Sequence, residues 1–289
     1  MSYSLNQLYG TVGISKQAVH QHLRRNAHYQ EQFMDLVKRA DRVRKEHPGC
    51  GVEKLYYLLR PTFVGRDRFI ATMMSLGYRL KVKRNYCKTT RSLQGNFTNL
   101  IKGLQVEAPN TVWQSDITYF RVGARFYYAV FIIDVYTKKI VGYQVSDHMR
   151  GTANLSALKM ALKENQAPKY HHSDKGAQYH SSRYLELLAA NGCKVSMGKI
   201  AQDNAYAERI NGTIKNEYIN YWKPESLNHL KKMVNKAVAQ YNKRRNHNSL
   251  GRTAPEEFEK KWFRGMLSPK PLLTIFDEND KSIKPVNSI

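Results

Sequence analysis

The sequence predicts an α/β fold, with a mixed sheet flanked by helices, preceded by an all-α region. Residues 1–80 carry apolar side chains at helical spacing between glycine-containing breaks, whereas the middle of the chain alternates strand-like apolar runs with helical segments. The chain has 289 residues, 42% of them hydrophobic, so it can bury one large core and smaller modules. Two or three domains are therefore expected.

The order of the predicted elements narrows the α/β class. Three antiparallel strands are expected first, at 112–120, 126–134 and 140–145. A hairpin turn at 121–125 connects the first two. Helices and strands then alternate, with a helix at 152–166, a strand ending at 174, a helix at 181–191, a strand at 194–197 and a helix beginning near 203. This is the order of an RNase H-like fold, although a fold alone does not give the reaction.

The first segment, residues 5–25, has the spacing of a helix-turn-helix. Gly13 lies in the turn, Ser15 can cap the second helix, and Val19 and Leu23 are expected to give that helix a buried side. Its other side carries donors suited to phosphates and base edges, namely Lys16, Gln17, His20, Gln21 and Arg24. A short amphipathic hairpin without a DNA role is the alternative interpretation.

A separate helical block and a second helical pair are predicted before residue 80. The block has one apolar stripe, which contains Phe33, Leu36, Val37 and Ala40. After a break near 47–51 a short helix is expected, and residues 64–78 predict a turn and a helix that ends at Gly77. Basic residues without apolar periodicity then predict a linker. The candidate DNA contacts here are Arg66, Arg68, Lys81, Lys83 and Arg84.

The charge balance favours a nucleic-acid partner. The chain has 47 Lys and Arg against 23 Asp and Glu, a net charge of +24, and 19 basic against 6 acidic residues lie in the first 105. No apolar run approaches the roughly 18 residues that would span a bilayer, and the start lacks a secretory pattern, so a cytoplasmic protein without a membrane partner is expected. Three scattered cysteines indicate neither disulfides nor a zinc module.

Three acids are the candidate catalytic residues. Asp116 and Asp174 each follow an apolar run, and Glu208 lies on a predicted helix, on one face with Asn211 or Gly212 and with Lys215. Three converging carboxylates repel one another unless a divalent cation neutralises them. Hard oxygen ligands favour magnesium or manganese over zinc.

Neighbouring residues that could compete with these acids are interpreted as structural. Glu217 lies nine residues beyond Glu208, near the opposite side of the helix. Asp134 follows an apolar strand and is interpreted as a turn or supporting residue. One of His171 and His172 is expected to pack or hydrogen-bond near the site rather than to bind metal.

The acids lie in three motifs that follow one another along the chain. The motifs are Pro109-Asn110-x-x-Trp113-x-x-Asp116-Ile117-Thr118-Tyr119, His172-Ser173-Asp174-x-Gly176-x-Gln178-Tyr179 and Asp203-Asn204-Ala205-x-x-Glu208, and Lys215 lies seven residues after Glu208. These motifs resemble the DDE catalytic core of bacterial insertion-sequence transposases of the IS-three type, which is similar to the core of retroviral integrases. The match runs from about Trp113 to Phe258. The 33 residues between Asp174 and Glu208 are two fewer than is usual in the family.

The resemblance implies a transposase that cuts and joins DNA. Asp116, Asp174 and Glu208 would hold two magnesium ions, with manganese as an alternative. The implied partners are double-stranded DNA, as terminal inverted repeats and as target, and other copies of the chain in a homo-oligomer on paired ends. Arg209 and Lys215, on the helix that carries Glu208, would contact the DNA end.

Five regions are expected in the chain. They are a helical DNA-binding region at 1–80, in which both the first segment and the pair that ends at Gly77 are helix-turn-helix candidates, a basic linker at 81–108, an RNase H-like catalytic core at 109–222, a helical extension at 223–265 and a loosely ordered tail at 266–289. Two other functions remain open, a DNA-binding regulator with an inactive core and a plain RNase H-like nuclease. The three intact acids argue against the first, and the excess of basic residues in the first 105, here called the basic arm, argues against the second.

Overall fold

The computed structural model describes residues 4–80, 97–198, 201–270 and 272–273, and the chain divides into two compact units at 1–81 and 82–289. Lys81, Lys83 and Arg84, three of the predicted DNA contacts, lie outside the described residues. No helix within the described ranges is both long and apolar enough to cross a membrane.

The first unit is helical throughout its described part. Its helices are α1 (Leu5–Val12), α2 (Lys16–Glu46), α3 (Val52–Leu59) and α4 (Arg66–Ser75). Gly13 adopts φ 72° in the turn before α2, and the Ser15 hydroxyl accepts the Ala18 N–H over 3.1 Å, so the predicted turn and cap are both present. The core of this unit lies where α2 meets α3 and α4, around Phe33, Leu36, Ala40, Leu55, Phe69 and Met73.

Two predictions for this unit are wrong. The second helix of the helix-turn-helix and the block that follows it are one continuous helix, because no Gly or Pro interrupts residues 16–46. Leu23 is 56% exposed and Val19 is only half-buried, so this part of α2 has no buried side. The buried residues of α2 begin at Phe33, since its first turns extend beyond the level at which α3 and α4 pack.

The second unit is built on a five-stranded mixed sheet. Its strands, together with two short ones that pair separately, are β1 (Gln105–Val106), β2 (Val112–Val122), β3 (Arg125–Asp134), β4 (Ile140–Ser146), β5 (Tyr170–Ser173), β6 (Lys194–Met197) and β7 (Leu272–Leu273). The sheet order is β4-β3-β2-β5-β6, in which β2, β3 and β4 are antiparallel while β5 and β6 run parallel to β2. The predicted α/β, RNase H-like fold is confirmed.

Helices cover both faces of this sheet. They are α5 (Gly151–Glu164), α6 (Ser182–Ala190), α7 (Ala205–Ile214), α8 (Asn220–Trp222), α9 (Leu227–Arg244) and α10 (Pro255–Phe263), and a π-helical turn at Lys215–Ile219 continues α7. One core joins α5 and α6 to residues of alternate positions on the strands, such as Trp113 and Ile132. The other joins α7 and α9 to the opposite face, through residues such as Phe120 and Phe131.

The limits predicted for the linker and the tail differ from the structure. Ile101 and Val106 are fully buried, so the second half of the predicted linker packs with the catalytic unit. Strand β1 pairs antiparallel with β7, which lies inside the predicted loose tail. Both strands are too short to show periodicity, and they meet across more than 160 residues, so only tertiary packing reveals the pair.

Candidate active site

Neighbouring parallel strands bring two of the predicted acids together. Ser115 of β2 is in register with Ser173 of β5, and the next residues along are Asp116 and Asp174. Asp116 lies within β2, where its pairing with β5 stops, and Asp174 directly follows β5. Adjacent strands lie about 4.8 Å apart, so the two carboxylates start from neighbouring backbone positions.

The Asp174 carboxylate is fixed by the turn that follows it. Its Oδ1 accepts the Gly176 N–H over 3.0 Å. A β-carbon added at Gly176 would lie 2.9 Å from that same oxygen, so a larger residue there would displace the carboxylate. The glycine of the Asp174-x-Gly176 phrase is therefore required by close approach.

Helix α7 brings the third acid to the strands. It packs against the sheet through Ala207, Ile210 and Ile214, which leaves Glu208 exposed on its first turn. Asn211, one turn further on, donates from Nδ2 to Oδ2 of Asp116 over 2.8 Å. The face predicted for Glu208 and Asn211 is therefore the one that meets β2 at Asp116.

Gln114 is a supporting residue that the sequence interpretation missed. It is completely buried on β2, and its Oε1 accepts the N–H groups of Tyr206 (3.1 Å) and Ala207 (3.3 Å) at the start of α7. The N-cap position of α7 is occupied by Asn204, whose Nδ2 donates to the Ser115 carbonyl over 2.9 Å. The strand that carries Asp116 thus fixes the helix that carries Glu208. No local motif could reveal a cap supplied from some 90 residues away.

Replacing Gln114 with alanine is expected to leave two buried helix N–H groups without an acceptor and to loosen Glu208. The loss should lower the free energy of unfolding by about 1–3 kcal/mol and slow catalysis about tenfold. Chemical denaturation and single-turnover cleavage of a DNA end would measure both effects. Gln144→Ala, in a part-buried glutamine of β4 that bonds its neighbour's carbonyl, is the control. Wild-type cleavage by Gln114→Ala would show that the cap does not position Glu208.

The three acids influence one another electrostatically. Burial, followed by the charge of Asp174 and then that of Glu208, raises the pKa of Asp116 to about 8, against the lowering effect of hydrogen bonds from Ile117 and Asn211. The pKa of Glu208 is also raised, first by desolvation and then by Asp174. Desolvation is the largest cause of both shifts, and the charge of Asp174 is the second cause that they share.

This set of donors has the chemistry that a hard divalent cation requires. Carboxylate oxygens are the ligands that magnesium and manganese prefer, and a cation would relieve the mutual repulsion of the acids. In the described ranges, however, no three His, Cys, Asp or Glu side chains are arranged closely enough to form a complete cation site. The structure therefore shows coupled acids rather than a closed set of ligands.

Comparison with known proteins identifies the family. A model described as Integrase core domain matches residues 106–202, and a second model with the same description matches residues 192–255. The transposase for insertion sequence element IS629 from Shigella sonnei is 33% identical over 261 residues, which cover 84% of this chain and 87% of that protein. This chain belongs to the insertion-sequence transposases.

Two other similarities accompany this assignment. Transposase InsF for insertion sequence IS3A from Escherichia coli is 29% identical over 199 residues, which cover 66% of this chain and 69% of that protein. The predicted resemblance to bacterial insertion-sequence transposases is confirmed. The HTLV-2 integrase catalytic core domain, solved in complex with magnesium, has a TM-score of 0.45 and 21% identity over 52% of this chain and 97% of that one.

Glu217, the rival to Glu208 in this transposase, is held in an ion pair. Its two carboxylate oxygens accept from Nε and an Nη of Arg245, each over 2.7 Å, and both side chains are largely buried. Glu217 lies in the π-helical turn at 215–219, and its partner Arg245 directly follows helix α9. A bidentate pair of this kind gives Glu217 a structural role.

The other rivals are also held by structural contacts. Asp134 accepts the backbone N–H groups of Thr137 and Asn110, each over 2.6 Å, as expected of a turn residue. His171 meets the Tyr184 hydroxyl at 2.9 Å, and His172 meets the Ser196 hydroxyl at 2.8 Å. Burial lowers the pKa of His171 to about 3 and that of His172 to about 4, so both are neutral packing residues of the sheet.

The predicted DNA contacts differ in how they are presented. The candidates at the start of α2 are all exposed, and they are Lys16, Gln17, His20, Gln21 and Arg24. Arg66 pairs with Asp67 at 2.8 Å and Glu53 at 3.6 Å, and Arg68 lies 4.6 Å from the centre of the Tyr29 ring. In the catalytic unit, Arg209 is exposed, and the Lys215 ammonium lies 4.3 Å from the centre of the Tyr119 ring.

Proposed function

We propose that this transposase cleaves DNA at the ends of its mobile element and joins them to new DNA at a site formed by Asp116, Asp174 and Glu208. The observation that carries the proposal is the coupling of these acids, two from adjacent parallel strands and one from α7. Such mutual repulsion in a partly buried place lowers stability. Carboxyl groups held in this way are concentrated at functional sites, where their repulsion serves binding or catalysis.

The three acids would hold two magnesium ions, with manganese as an alternative. When bound, the cations would supply activation of an attacking oxygen and neutralisation of the charge that develops on the phosphate. The chain's own contribution is to position the ligands. The Gly176 N–H holds Asp174, the Asn211 amide holds Asp116, and the Gln114 amide holds the helix start that carries Glu208.

The proposed partners are duplex DNA and further copies of this chain. The exposed donors at the start of α2 suit phosphates and base edges, so this part of α2 would recognise the terminal repeats. Lys215, near Tyr119 and on the helix of Glu208, would contact the phosphates of the end being processed. Joining two ends at once requires two sites, which supports a homo-oligomer on paired ends.

The experiment that tests this function uses labelled DNA taken from the edges of the element. The purified chain is expected to release the strand end and to join it to a plasmid in the presence of Mg²⁺, and to do neither in EDTA. Binding without cleavage in Mg²⁺ would favour the DNA-binding regulator. Cleavage of any duplex or hybrid without joining would favour the plain nuclease. Either result would contradict the proposal.

A further inference from the structure

Helix α9 has two faces of opposite character. Its apolar face is fully buried against the sheet and α7, through Leu230, Val234, Ala237 and Tyr241. The apolar contacts fix the orientation of the helix, so the residues on its outer face have defined directions.

Three lysines form a line along that outer face. Lys232, Lys236 and Lys243, here called the lysine stripe, are all exposed and lie within about 40° of one another around the helix axis. The helix rise separates the first two by about 6 Å and the last two by about 10 Å. Ala239 lies between Lys236 and Lys243 on the same side and is also exposed, and its short side chain leaves room for a close approach at that position.

The stripe is not matched by acids of its own helix. Residues 227–244 contain Lys231, Lys232, Lys236, Lys243 and Arg244 but no Asp or Glu. Intrahelical ion pairs, which usually compensate exposed lysines, are therefore absent from α9. The Lys236 ammonium lies 4.8 Å from the centre of the Trp222 ring, which restricts one member of the stripe.

Helix α9, which carries the stripe, packs beside α7, which carries Glu208 of the proposed active site. Both α7 and α9 pack in the same core on one face of the sheet, through residues that include Ile214 of α7 and Leu230 of α9. Helix α5 packs on the opposite face. The two helices are therefore neighbours, and a polyanion bound to both would pass from one helix to the next.

We propose that the lysine stripe binds the phosphate backbone of the target duplex, the DNA that receives the element. The proposal rests on the proposed function. Lysine ammonium groups bind phosphates as point charges, and the stripe contains no Arg, Asn or Gln, whose planar groups pair with base edges through two hydrogen bonds. The element's own ends have to be distinguished from other DNA, whereas a receiving duplex can be held by its phosphates alone.

The test compares two double variants of the full chain. Lys232→Glu with Lys236→Glu reverses two charges of the stripe. Lys159→Glu with Lys163→Glu makes the same change at the same spacing on exposed positions of α5, across the sheet. Lysine and glutamate have similar helix propensities, so both variants should fold. Joining of pre-cleaved ends is measured against target concentration, and cleavage of the element end is measured separately.

The stripe variant is expected to need about tenfold more target DNA for half-maximal joining, with end cleavage changed less than twofold. Its affinity for duplex of unrelated sequence should also depend less on salt, with a log–log slope lower by about 2. The α5 variant should match the wild type. Equal behaviour of the two variants would overturn the proposal, and so would a parallel loss of end cleavage, which would assign the stripe to the element end. If the wild type neither cleaves nor joins, the proposed function fails, and an unchanged salt slope would overturn the stripe as well.

Discussion

Replacing Asp174 with asparagine is expected to abolish both strand cleavage and strand transfer while leaving DNA binding nearly unchanged. The substitution removes one charge from the three coupled acids but keeps a similar shape and an oxygen that can accept the Gly176 N–H. The loss should be at least about a thousandfold in rate, which corresponds to about 4 kcal/mol of barrier. Single-turnover cleavage and a gel shift on the same end DNA would measure the two properties.

The control for Asp174 is Asp147→Asn, in an exposed aspartate that follows β4 and lies 4.0 Å from His148. This variant removes the same charge outside the three acids and should retain wild-type rates. Strand transfer by Asp174→Asn, or an equal loss in Asp147→Asn, would contradict the assignment of Asp174. Loss of DNA binding in Asp174→Asn would mean that the residue acts in folding or in binding instead.

Replacing Glu208 with glutamine is expected to cost several orders of magnitude in rate with little change in stability. Its side chain is exposed on the first turn of α7, so folding does not depend on it, whereas its pKa is raised partly by the neighbouring Asp174. Single-turnover cleavage over a range of Mg²⁺ concentrations would measure the loss and any change in metal dependence.

Glu217→Gln is the matched control and should behave in the opposite way. It breaks the bidentate pair with Arg245, so the free energy of unfolding should fall by about 3 kcal/mol, while the rate of the folded protein changes less than about tenfold, or about 1.4 kcal/mol of barrier. Urea denaturation separates the two effects. An inactive Glu217 variant beside an active Glu208 variant would mean that the third acid has been misassigned.

The sequence was informative where local patterns decide the structure. Alternating apolar residues predicted the strands at 112–120 and 126–134 to within two residues of the observed β2 and β3. The turn at Gly13 and the cap at Ser15 were predicted because both act within four residues. The fold class followed from the order of such elements.

Contacts between distant residues were beyond the reach of those patterns. The Gln114 cap on α7, the Glu217–Arg245 pair and the β1–β7 pair each join parts of the chain that meet only after folding. The exposure of Leu23 was mispredicted for a related reason. Helical spacing shows that a face is apolar, but only tertiary packing decides whether anything covers it.

The most direct measurement of the central claim is a Mg²⁺ titration of single-turnover joining, run on the wild type and on three variants, Asp116→Asn, Asp174→Asn and Glu208→Gln. If the three acids form one cation-dependent site, the wild type should require Mg²⁺, and each variant should lose joining at every Mg²⁺ concentration. Wild-type joining without a divalent cation, or a full rate in any one variant at saturating Mg²⁺, would contradict the claim.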